Sequence, residues 1–450
     1  MSDKKLPMNF LNYPWLKRFL KSSLYPRIFQ WAAVLVFAVI MVETLAGPTS
    51  AHDNFGTAAT WVLWWPLLPL FFFLFGRFWC GVCPFGLVSD LTQKFFGANR
   101  KVPKFLKKYG LWIIDITFIF ITWSDHVWGI IESPRGSGTL LLLILGGVMV
   151  TAMLFERRTW CRYLCFLGSL SGNYSRAGML ELRADKDVCK TCTTRDCFKG
   201  NAKTSGCPMF EFPMAMENNA NCNLCGNCIK SCPHDSIRIS PRKPTSEFWS
   251  MTRAHFEESF LAIVIVGIVF VQNITMLEFY PTFLEWVEKT LGIANQDIAF
   301  TILFIFAMTT PVLLLFAATA LSKRYTGETL RTAFARFGYA VIPLDLASHM
   351  AHNLFHLLAE GKAIYYTFMG LFGVHLEGPT GFVSDPVIQI MQYILVIAGT
   401  LGSLYTAYRI AKKNYGTSKA LSVAMPYLVV ILLFGILNFL TFTVRMEMRM

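Results

Sequence analysis

Residues 222–233 read C-N-L-C-G-N-C-I-K-S-C-P and contain four cysteines in the spacing C-x2-C-x2-C-x3-C-P. This spacing is typical of paired [4Fe-4S] clusters, in which three thiolates bind one cluster and the Cys before Pro reaches the other. A looser version, C-x2-C-x4-C-x9-C-P, lies upstream at residues 189–208. We therefore predict two [4Fe-4S] clusters with crossed ligands. The first cluster is assigned to Cys189, Cys192, Cys197 and Cys232, and the second to Cys222, Cys225, Cys228 and Cys207.

Zinc is the main alternative for these eight cysteines, because structural zinc sites also use C-x2-C pairs. The Cys-Pro ending of both runs favours iron–sulfur clusters over zinc. Disulfides are disfavoured because the orientation predicted below places this segment on the reducing side of a membrane.

The chain around these runs is unusually apolar. Of its 450 residues, 54% are hydrophobic and only 15% are charged, whereas about a quarter are charged in soluble domains. A membrane-spanning helix needs about 20 apolar residues. Nine such stretches predict a mainly α-helical, polytopic integral membrane protein in a lipid bilayer: 28–47, 57–76, 110–128, 138–156, 258–279, 299–321, 335–358, 386–408 and 421–444. The composition excludes a disordered, collagen-like or secreted disulfide-rich protein.

The basic residues predict the orientation of these helices. Lys and Arg exceed Asp and Glu by 13 charges, and in membrane proteins they concentrate in short cytoplasmic loops. Along the chain, loops with many Lys and Arg residues alternate with loops that have few. The segment before residue 28 has many. This places the N-terminus and the Cys-rich segment in the cytoplasm, in a multi-pass protein of the inner cell membrane. Since topology accounts for the basic residues, no nucleic-acid partner is predicted.

Three parts follow from this layout. Residues 1–156 form a four-helix membrane domain with a Cys motif, and residues 258–450 form a five-helix membrane domain with a His-rich helix. Residues 157–257 form an inserted cytoplasmic domain, a small α+β fold of the bacterial 2[4Fe-4S] ferredoxin type that includes a second Cys motif at the membrane edge. This inserted domain has too few aliphatic residues for a large core, so we expect its clusters to hold it together.

The remaining four cysteines lie in a repeated motif. Residues 77–89 read R-F-W-C-G-V-C-P-F-G-L-V-S, and residues 158–171 read R-T-W-C-R-Y-L-C-F-L-G-S-L-S. Each copy follows a pair of predicted membrane helices, so both Cys pairs emerge at the same membrane edge. The repeat predicts a third metal centre, bound by Cys80, Cys83, Cys161 and Cys165. A third iron–sulfur cluster, a redox-active dithiol, a copper site and simple burial of free Cys remain the alternatives.

On these residues the sequence resembles the membrane polyferredoxins typified by NapH and NosR, to which the copper-linked CcoG is related. The resemblance rests on residues 77–86, 158–168 and 189–233 and covers residues 28–245. In that family the membrane-edge motif is usually Cys-x3-Cys-Pro, whereas here the first copy is one residue shorter and the second lacks Pro. The resemblance implies electron transfer between the quinone pool or a cytoplasmic donor and an extracytoplasmic redox enzyme.

The C-terminal part carries a stripe of ionisable residues inside a predicted membrane helix. Asp345, His349, His352 and His356 are three or four residues apart, a spacing that keeps them on one helix face. An ionisable residue within a membrane helix marks a cavity, a relay or a cofactor by default. The alternatives are haem b or another metal bound by the three His, a quinone or proton site at Asp345, and structural hydrogen bonding.

Together these features predict an electron-transfer component of a respiratory oxidoreductase system. It would relay electrons through its clusters between the quinone pool or a cytoplasmic donor and a membrane or extracytoplasmic redox partner, as a subunit of an electron-transfer complex. Two alternatives stay open. One is a copper reductase or assembly factor for a respiratory oxidoreductase, and the other is a structural anchor subunit of a redox complex.

Overall fold

The computed structural model describes residues 8–446 and is mainly helical. Lys4, Lys5 and Arg449, which belong to the charge pattern, lie outside the described residues. The first ten helices are α1 (Pro14–Lys21), α2 (Arg27–Ala46), α3 (Phe55–Thr57), α4 (Trp65–Phe75), α5 (Phe78–Val82), α6 (Pro84–Phe96), α7 (Lys104–Trp128), α8 (Pro134–Leu154), α9 (Thr159–Tyr163) and α10 (Phe166–Ala177). Ala58–Trp64 is a π-helical segment that joins α3 to α4, and Phe10–Asn12 is a 3₁₀ turn.

The middle of the chain contains short elements, and the rest is helical again. The middle elements are β1 (Leu180–Ala184), α11 (Lys186–Lys190), α12 (Asp196–Lys199), β2 (Gly200–Asn201), β3 (Thr204–Ser205), α13 (Asn227–Ser231), β4 (Ile237–Pro241) and α14 (Glu247–Ser250). The last eight helices are α15 (Phe256–Ile274), α16 (Tyr280–Leu291), α17 (Gln296–Thr326), α18 (Leu330–Phe337), α19 (Ile342–Ala359), α20 (Ala363–Gly370), α21 (Asp385–Tyr415) and α22 (Thr417–Thr441). Gly338–Val341 is a 3₁₀ turn between α18 and α19.

Seven helices within residues 8–446 are long and apolar enough to span a membrane, which confirms the predicted mainly helical membrane protein. They coincide with seven of the nine predicted stretches: α2, the continuous helix Phe55–Phe75, α8, α15, α17, α21 and α22. The other two stretches fall on α7 and α19. Lys and Asp residues lower the mean hydropathy of α7, and Asp345 and three His lower that of α19. The count of nine spans stays a prediction.

Contacts within the chain define two compact units. Unit 1 comprises Met1–Ala38, Leu70–Gly110 and Ile144–Thr252, and unit 2 comprises Val39–Pro69, Leu111–Leu143 and Arg253–Met450. All 12 cysteines belong to unit 1, and the ionisable stripe of α19 belongs to unit 2.

The Cys-rich part of unit 1 is built on a small antiparallel pair of strands. β1 pairs with β4 so that Leu182 lies opposite Ile239, and β2 pairs with β3. The apolar core under these strands includes Leu182, Ile229 and Ile237, and the N-terminal segment adds Leu11 and Leu20 to it. A domain with few aliphatic residues of its own therefore gains part of its core from residues far away in the sequence.

Unit 2 places α19 between α15 and α21. Tyr339 Oη, just before α19, donates to Glu258 Oε2 at 2.7 Å near the start of α15. Asn273, near the end of α15, contacts His352 in the middle of α19. The two helices therefore run side by side in the same direction. On the α21 side, the Leu344 amide donates to Ser403 Oγ at 2.9 Å.

Candidate metal centres

The four cysteines assigned to the first cluster line one small cavity of unit 1: Cys189, Cys192, Cys197 and Cys232. Asp185 caps α11 by accepting from the Asp187 and Val188 amides, and Cys189 lies in the last turn of that helix. Arg195 adopts a left-handed conformation with φ 54° and turns the chain so that α12 presents Cys197. Cys232 directly follows α13. Three short elements thus bring distant cysteines to one place.

Hydrogen bonds to sulfur surround this first quartet. Ser236 Oγ lies 3.0 Å from Cys189 Sγ, and the Ser236 amide donates to Cys232 Sγ at 3.4 Å. Cys192 Sγ lies 3.7 Å from Thr194 Oγ1. Such bonds stabilise negative charge on sulfur and tune the potential of a bound cluster.

The second quartet is more deeply buried. Burial raises the pKa of Cys222 to about 12 and that of Cys225 to about 11. Cys207 is a further cause of the raised pKa of Cys222, Cys225 and Cys228, so it lies close to all three. Without a metal, a thiol in such surroundings stays protonated. When a metal binds, the thiol loses its proton and coordinates as a thiolate. The geometry fits the crossed ligand assignment, which stays a proposal.

Tyr25 holds the loop of the second quartet. Its hydroxyl donates to Leu224 O at 2.5 Å, between Cys222 and Cys225. Leu224 has φ 51° and Gly226 has φ 78°, so the loop turns sharply around its cysteines. A Cβ at Gly226 would lie 2.9 Å from the Tyr25 ring, which is why Gly fits there. Sequence reasoning missed Tyr25 because nothing local links it to a loop 200 residues later.

The two copies of the membrane-edge motif fold alike. Each has a short helix (α5 or α9) that carries the first Cys, and the second Cys directly precedes the next helix (α6 or α10). The amides of Gly86 and Gly168 donate to the sulfurs of Cys83 and Cys165, respectively. The second Cys of each copy thus begins a helix, where backbone amides favour negative charge.

The structure brings the four cysteines of the two copies together. Burial raises the pKa of Cys83 to about 12, and the neighbouring Cys80 and Cys161 raise it further. Burial also raises the pKa of Cys165, and the neighbouring thiols of Cys161, Cys80 and Cys83 raise it further. All four thiols therefore interact within one buried site.

Two buried arginines cross between the copies. Arg77 donates from Nε to Cys80 Sγ at 3.4 Å and from Nη2 to Cys161 O at 3.3 Å. A Cβ at Gly168 would lie 2.8 Å from Arg77 Nη2, and a Cβ at Gly86 would overlap Arg158 Nη1. The Gly of each copy therefore makes room for the Arg of the other. This exchange explains why Arg and Gly accompany Cys in both copies.

Asp90 fixes the second of these arginines. Arg158 is 4% exposed and donates from Nε and Nη2 to Asp90 at 2.7 and 2.6 Å. Burial alone lowers the pKa of Arg158, but Asp90 and Cys161 raise it above its ordinary value. The site therefore contains two permanent positive charges beside four sulfurs. They would offset the negative charge of a thiolate-bound centre.

The three quartets form a row within unit 1. Cys197 of the first quartet contributes to the raised pKa of Cys228 in the second. Between the second quartet and the membrane-edge quartet, Gly81 lies so close to Asn223 that a Cβ would overlap Asn223 O. Arg77 Nη1 also donates to Ala220 O at 2.9 Å. The second quartet thus lies between the other two.

A large basic cavity opens beside this row. Its volume is about 1080 Å³, and Cys225 of the second quartet lies in its wall. One acid, Asp90, faces seven basic residues among the lining side chains: Lys21, Arg27, Lys94, Arg157, Arg158, Lys203 and Lys230. Charge of this kind attracts anionic molecules and speeds their encounter with the protein.

No group of three or more His, Cys, Asp and Glu side chains between residues 8 and 446 is arranged to hold a single metal ion. Ligands of one zinc ion lie about 2.3 Å from a common centre. A cubane binds each thiolate to a different iron, so its ligands stand farther apart. Four thiolates around a cluster are therefore arranged differently from four around a single ion.

The stripe on α19 lies in the interior of unit 2. His349 and His352 are 2% and 5% exposed, and the His349 ring lies 6.1 Å from the Trp65 ring. His352 Nδ1 lies 3.0 Å from Asn273 Oδ1, and His356 Nδ1 lies 2.9 Å from Glu360 Oε2. The imidazoles of His352 and His356 therefore already contact polar groups of the protein.

Comparison with known proteins agrees with this geometry. The family described as a 4Fe-4S binding domain matches twice, at residues 57–103 and 137–182. The two matches contain the two copies of the membrane-edge motif. The same family thus fits both halves of the repeat that supplies Cys80, Cys83, Cys161 and Cys165.

Three curated proteins are similar to part of the chain. YccM of Escherichia coli (strain K12), whose name assigns it to electron transport, is 26% identical over 42% of this chain and 57% of its own length. The ferredoxin-type protein NapH of the same organism is 24% identical over 52% of this chain and 84% of its own. The methylamine utilization ferredoxin-type protein MauN of Methylobacillus flagellatus is 27% identical over 37% and 52%. The chain spans little more than half the length of YccM and MauN. No solved structure matches it.

Proposed function

Because the chain resembles the NapH-like membrane polyferredoxins, we propose that it relays single electrons along a row of three iron–sulfur clusters. The observation that carries this proposal is the order of the quartets, in which the second lies between the first and the membrane-edge quartet. Adjacent clusters in a protein exchange electrons without bond making, so the relay itself needs no substrate-binding site.

The first cluster is bound by Cys189, Cys192, Cys197 and Cys232, and the second by Cys222, Cys225, Cys228 and Cys207. The crossed pairing is supported by the shared cavity of the first four and by the closeness of Cys207 to the other members of the second. Each Cys before Pro therefore ties one run to the cluster of the other.

The third cluster is bound by Cys80, Cys83, Cys161 and Cys165. Support comes from the double match to a 4Fe-4S binding domain and from the mutual closeness of the four thiols. Arg77 and Arg158 offset its charge. An anchor role would not require three adjacent quartets, whereas an electron relay does.

The basic cavity beside Cys225 is where an anionic one-electron carrier docks. The cavity supplies uncompensated positive charge next to the second cluster, and electrostatic complementarity raises the rate of encounter with an acidic partner. The carrier is an acidic redox protein of the cytoplasm. It exchanges electrons with the second cluster at this cavity.

Quinone is the proposed partner on the membrane side. Unit 2 contains an apolar cavity of about 380 Å³ whose wall includes Phe270, Phe283, Phe300 and Asn438. Aromatic side chains suit a quinone ring. Asn438 Nδ2 already donates to Phe434 O at 2.9 Å, but its buried Oδ1 can accept a hydrogen bond from the hydroxyl of a quinol. Asp345, for which the sequence predicts a quinone or proton site, does not line this cavity.

Haem does not fit the described residues well. The three His of α19 share one helix face, so they cannot approach one iron from opposite sides. His126, a candidate second ligand, is already bound at both nitrogens, to Thr122 O at 2.8 Å and to Thr275 Oγ1 at 3.0 Å. We therefore assign no electron-transfer step to haem.

The proposed topology has nine spans, with the N-terminus and the ferredoxin part cytoplasmic in the inner membrane. Support comes from seven apolar helices and from the alternating basic loops. Residues 1–156, 157–257 and 258–450 are retained as the proposed domains.

Iron content tests the cluster assignment. Protein purified without oxygen is expected to contain about 12 irons per chain, four for each of three clusters. A Cys161→Ser/Cys165→Ser variant is expected to keep about eight and to lose one of three reducible electron paramagnetic resonance signals. Wild-type protein with about eight irons would exclude the third cluster, and about four or fewer would exclude the relay.

A further inference from the structure

Unit 2 contains a row of buried ionisable side chains that electron transfer through unit 1 does not use. The row consists of Asp345, His349, His352, His356 and Glu360. Successive members are three or four residues apart, so each lies one helical turn from the next on the same face of α19. At 1.5 Å per residue the row extends over about 22 Å, which is most of a hydrocarbon layer of about 30 Å.

Four members of the row are buried, and the three nearest the Glu360 end contact one another. Asp345 and His349 are each 2% exposed, and Glu360 is 1% exposed. The rings of His352 and His356 have centroids 5.1 Å apart, and His356 Nδ1 lies 2.9 Å from Glu360 Oε2. Burying ionisable groups at membrane depth is costly, and such groups commonly mark ion or proton pathways.

Polar atoms beside the row have no hydrogen-bond partner among residues 8–446. They are Ser348 Oγ, Asn273 Nδ2 and Asn353 Oδ1, and all are buried. Asn273 is the residue whose Oδ1 lies 3.0 Å from His352 Nδ1. Buried polar groups of this kind usually bind ordered water. The row therefore has neighbouring polar atoms that can bind water.

One end of the row lies near further titratable groups. Tyr339 Oη donates to Glu258 Oε2 at 2.7 Å and lies 3.2 Å from the His255 amide nitrogen. Tyr339 precedes Asp345 by six residues, so these groups lie toward the Asp345 end. On the other side of α19, Gln392 donates to Ala351 O at 3.0 Å and carries no charge.

We propose that unit 2 conducts protons along this row, between the Asp345 end and the Glu360 end. A neutral imidazole accepts a proton at one nitrogen and releases its original proton from the other, and carboxylates at both ends accept and release protons. Only N–H and O–H bonds change, so no oxidant or reductant is consumed. This activity goes beyond the proposed electron relay and does not depend on it.

Proton flux in vesicles tests the proposal. The full-length protein is reconstituted into liposomes that contain a pH-sensitive dye, and a potassium gradient with valinomycin drives protons inward. The assay is run with the clusters oxidised and again with the clusters reduced. Wild-type protein is expected to acidify the vesicles at least tenfold faster than protein-free liposomes in one of the two states. His352→Gln and Glu360→Gln are each expected to remove most of this flux.

His126→Gln is the matched control. His126 lies on α7, and its Nε2 lies 3.0 Å from Thr275 Oγ1, just beyond the end of α15. The flux through His126→Gln is expected to stay within twofold of wild type, and circular dichroism of every variant reports whether its helices fold. Wild-type flux equal to that of protein-free liposomes in both redox states would overturn the proposal. So would equal flux in His352→Gln, Glu360→Gln and wild type, or a flux carried by Na⁺ instead of protons.

Discussion

At the scale of single residues, the decisive feature is the exchange of Arg and Gly between the two motif copies. Arg77 occupies the space beside Gly168, and Arg158 occupies the space beside Gly86. A buried guanidinium held by Asp90 cannot easily move, because its donors are already used. The glycines are therefore as important to the third site as its cysteines.

Gly86→Ala is expected to destabilise unit 1 and the third cluster together. The new methyl group would overlap Arg158 Nη1, and overpacking of this kind typically costs about 1–3 kcal/mol. The measurements are iron per chain and the midpoint of denaturant-induced loss of cluster absorbance. Gly146→Ala is the control, because nothing lies within 4 Å of a Cβ there. Equal iron content and midpoint in the two variants would contradict the role assigned to Gly86.

Arg77→Gln is expected to lower the reduction potential of the third cluster. Reduction adds a negative charge, and a nearby positive charge stabilises the reduced state. Arg77 is 3% exposed and contacts Cys80 directly, so its charge is poorly screened. Redox titration followed by paramagnetic resonance measures the potential, and Arg100→Gln, outside the site, serves as the control. A potential that rises or does not change in Arg77→Gln would argue against a cluster beside this residue.

At the scale of elements, a buried ion cluster joins α14 to the small sheet. Glu247 is 2% exposed and accepts from both Arg183 on β1 and Arg242 just after β4. The Asn219 amide also donates to it at 3.0 Å, close to the second quartet. One carboxylate thus connects both strands to the loop that leads into Cys222.

Glu247→Gln is expected to lower the free energy of unfolding of unit 1 by about 3 kcal/mol. Removing one partner of a buried ion pair leaves uncompensated charge in the interior, and here two arginines would be affected. Denaturant titration of the cluster absorbance measures the effect. Glu181→Gln is the control, because Glu181 is partly exposed and lies 3.7 Å from Arg183. If Glu247→Gln lowers the unfolding free energy no more than Glu181→Gln does, the prediction is wrong and the two arginines find other partners.

The sequence predicts those elements that depend only on local patterns of residues. Apolar stretches predicted α2, α8, α15, α17, α21 and α22, because length and hydropathy are local properties. The stretch 335–358 was too long, since the Gly338–Val341 turn separates α18 from α19. Cys spacing predicted which thiols gather, whereas Tyr25, Asp90 and the Arg–Gly exchange depend on contacts between distant segments. A single sequence contains no local sign of those contacts.

At the scale of the whole molecule, the basic cavity predicts how a carrier protein reaches the clusters. A variant with Arg27→Glu and Lys94→Glu is expected to be reduced at least tenfold more slowly by an acidic one-electron carrier at low salt. Both residues line the cavity. Stopped-flow absorbance measures the rate, and Lys107→Glu, an exposed charge that does not line the cavity, is the control. Rates equal to the control at all salt concentrations would place docking elsewhere.

The membrane topology depends on whether α7 and α19 cross the bilayer. They are the two predicted spans that are not among the seven most apolar helices. Each is bracketed by loops that a reporter can test. If α19 crosses, a phosphatase fused at Gly373 is active outside the cytoplasm and one fused at Gly327 is inactive, with fluorescent-protein fusions giving the opposite pattern. The same contrast is expected between Asn99 and Gly129 for α7.

Equal behaviour of the two fusions around either helix would mean that this helix does not cross. Loss of α19 as a span would also remove the physical reason for a row of ionisable groups along it, since the row would no longer connect two sides of a membrane. Loss of α7 alone would reverse the side assigned to the segments that follow it, including the ferredoxin part. Because reducing conditions protect thiolate-bound clusters, we expect both helices to cross and the clusters to stay in the cytoplasm.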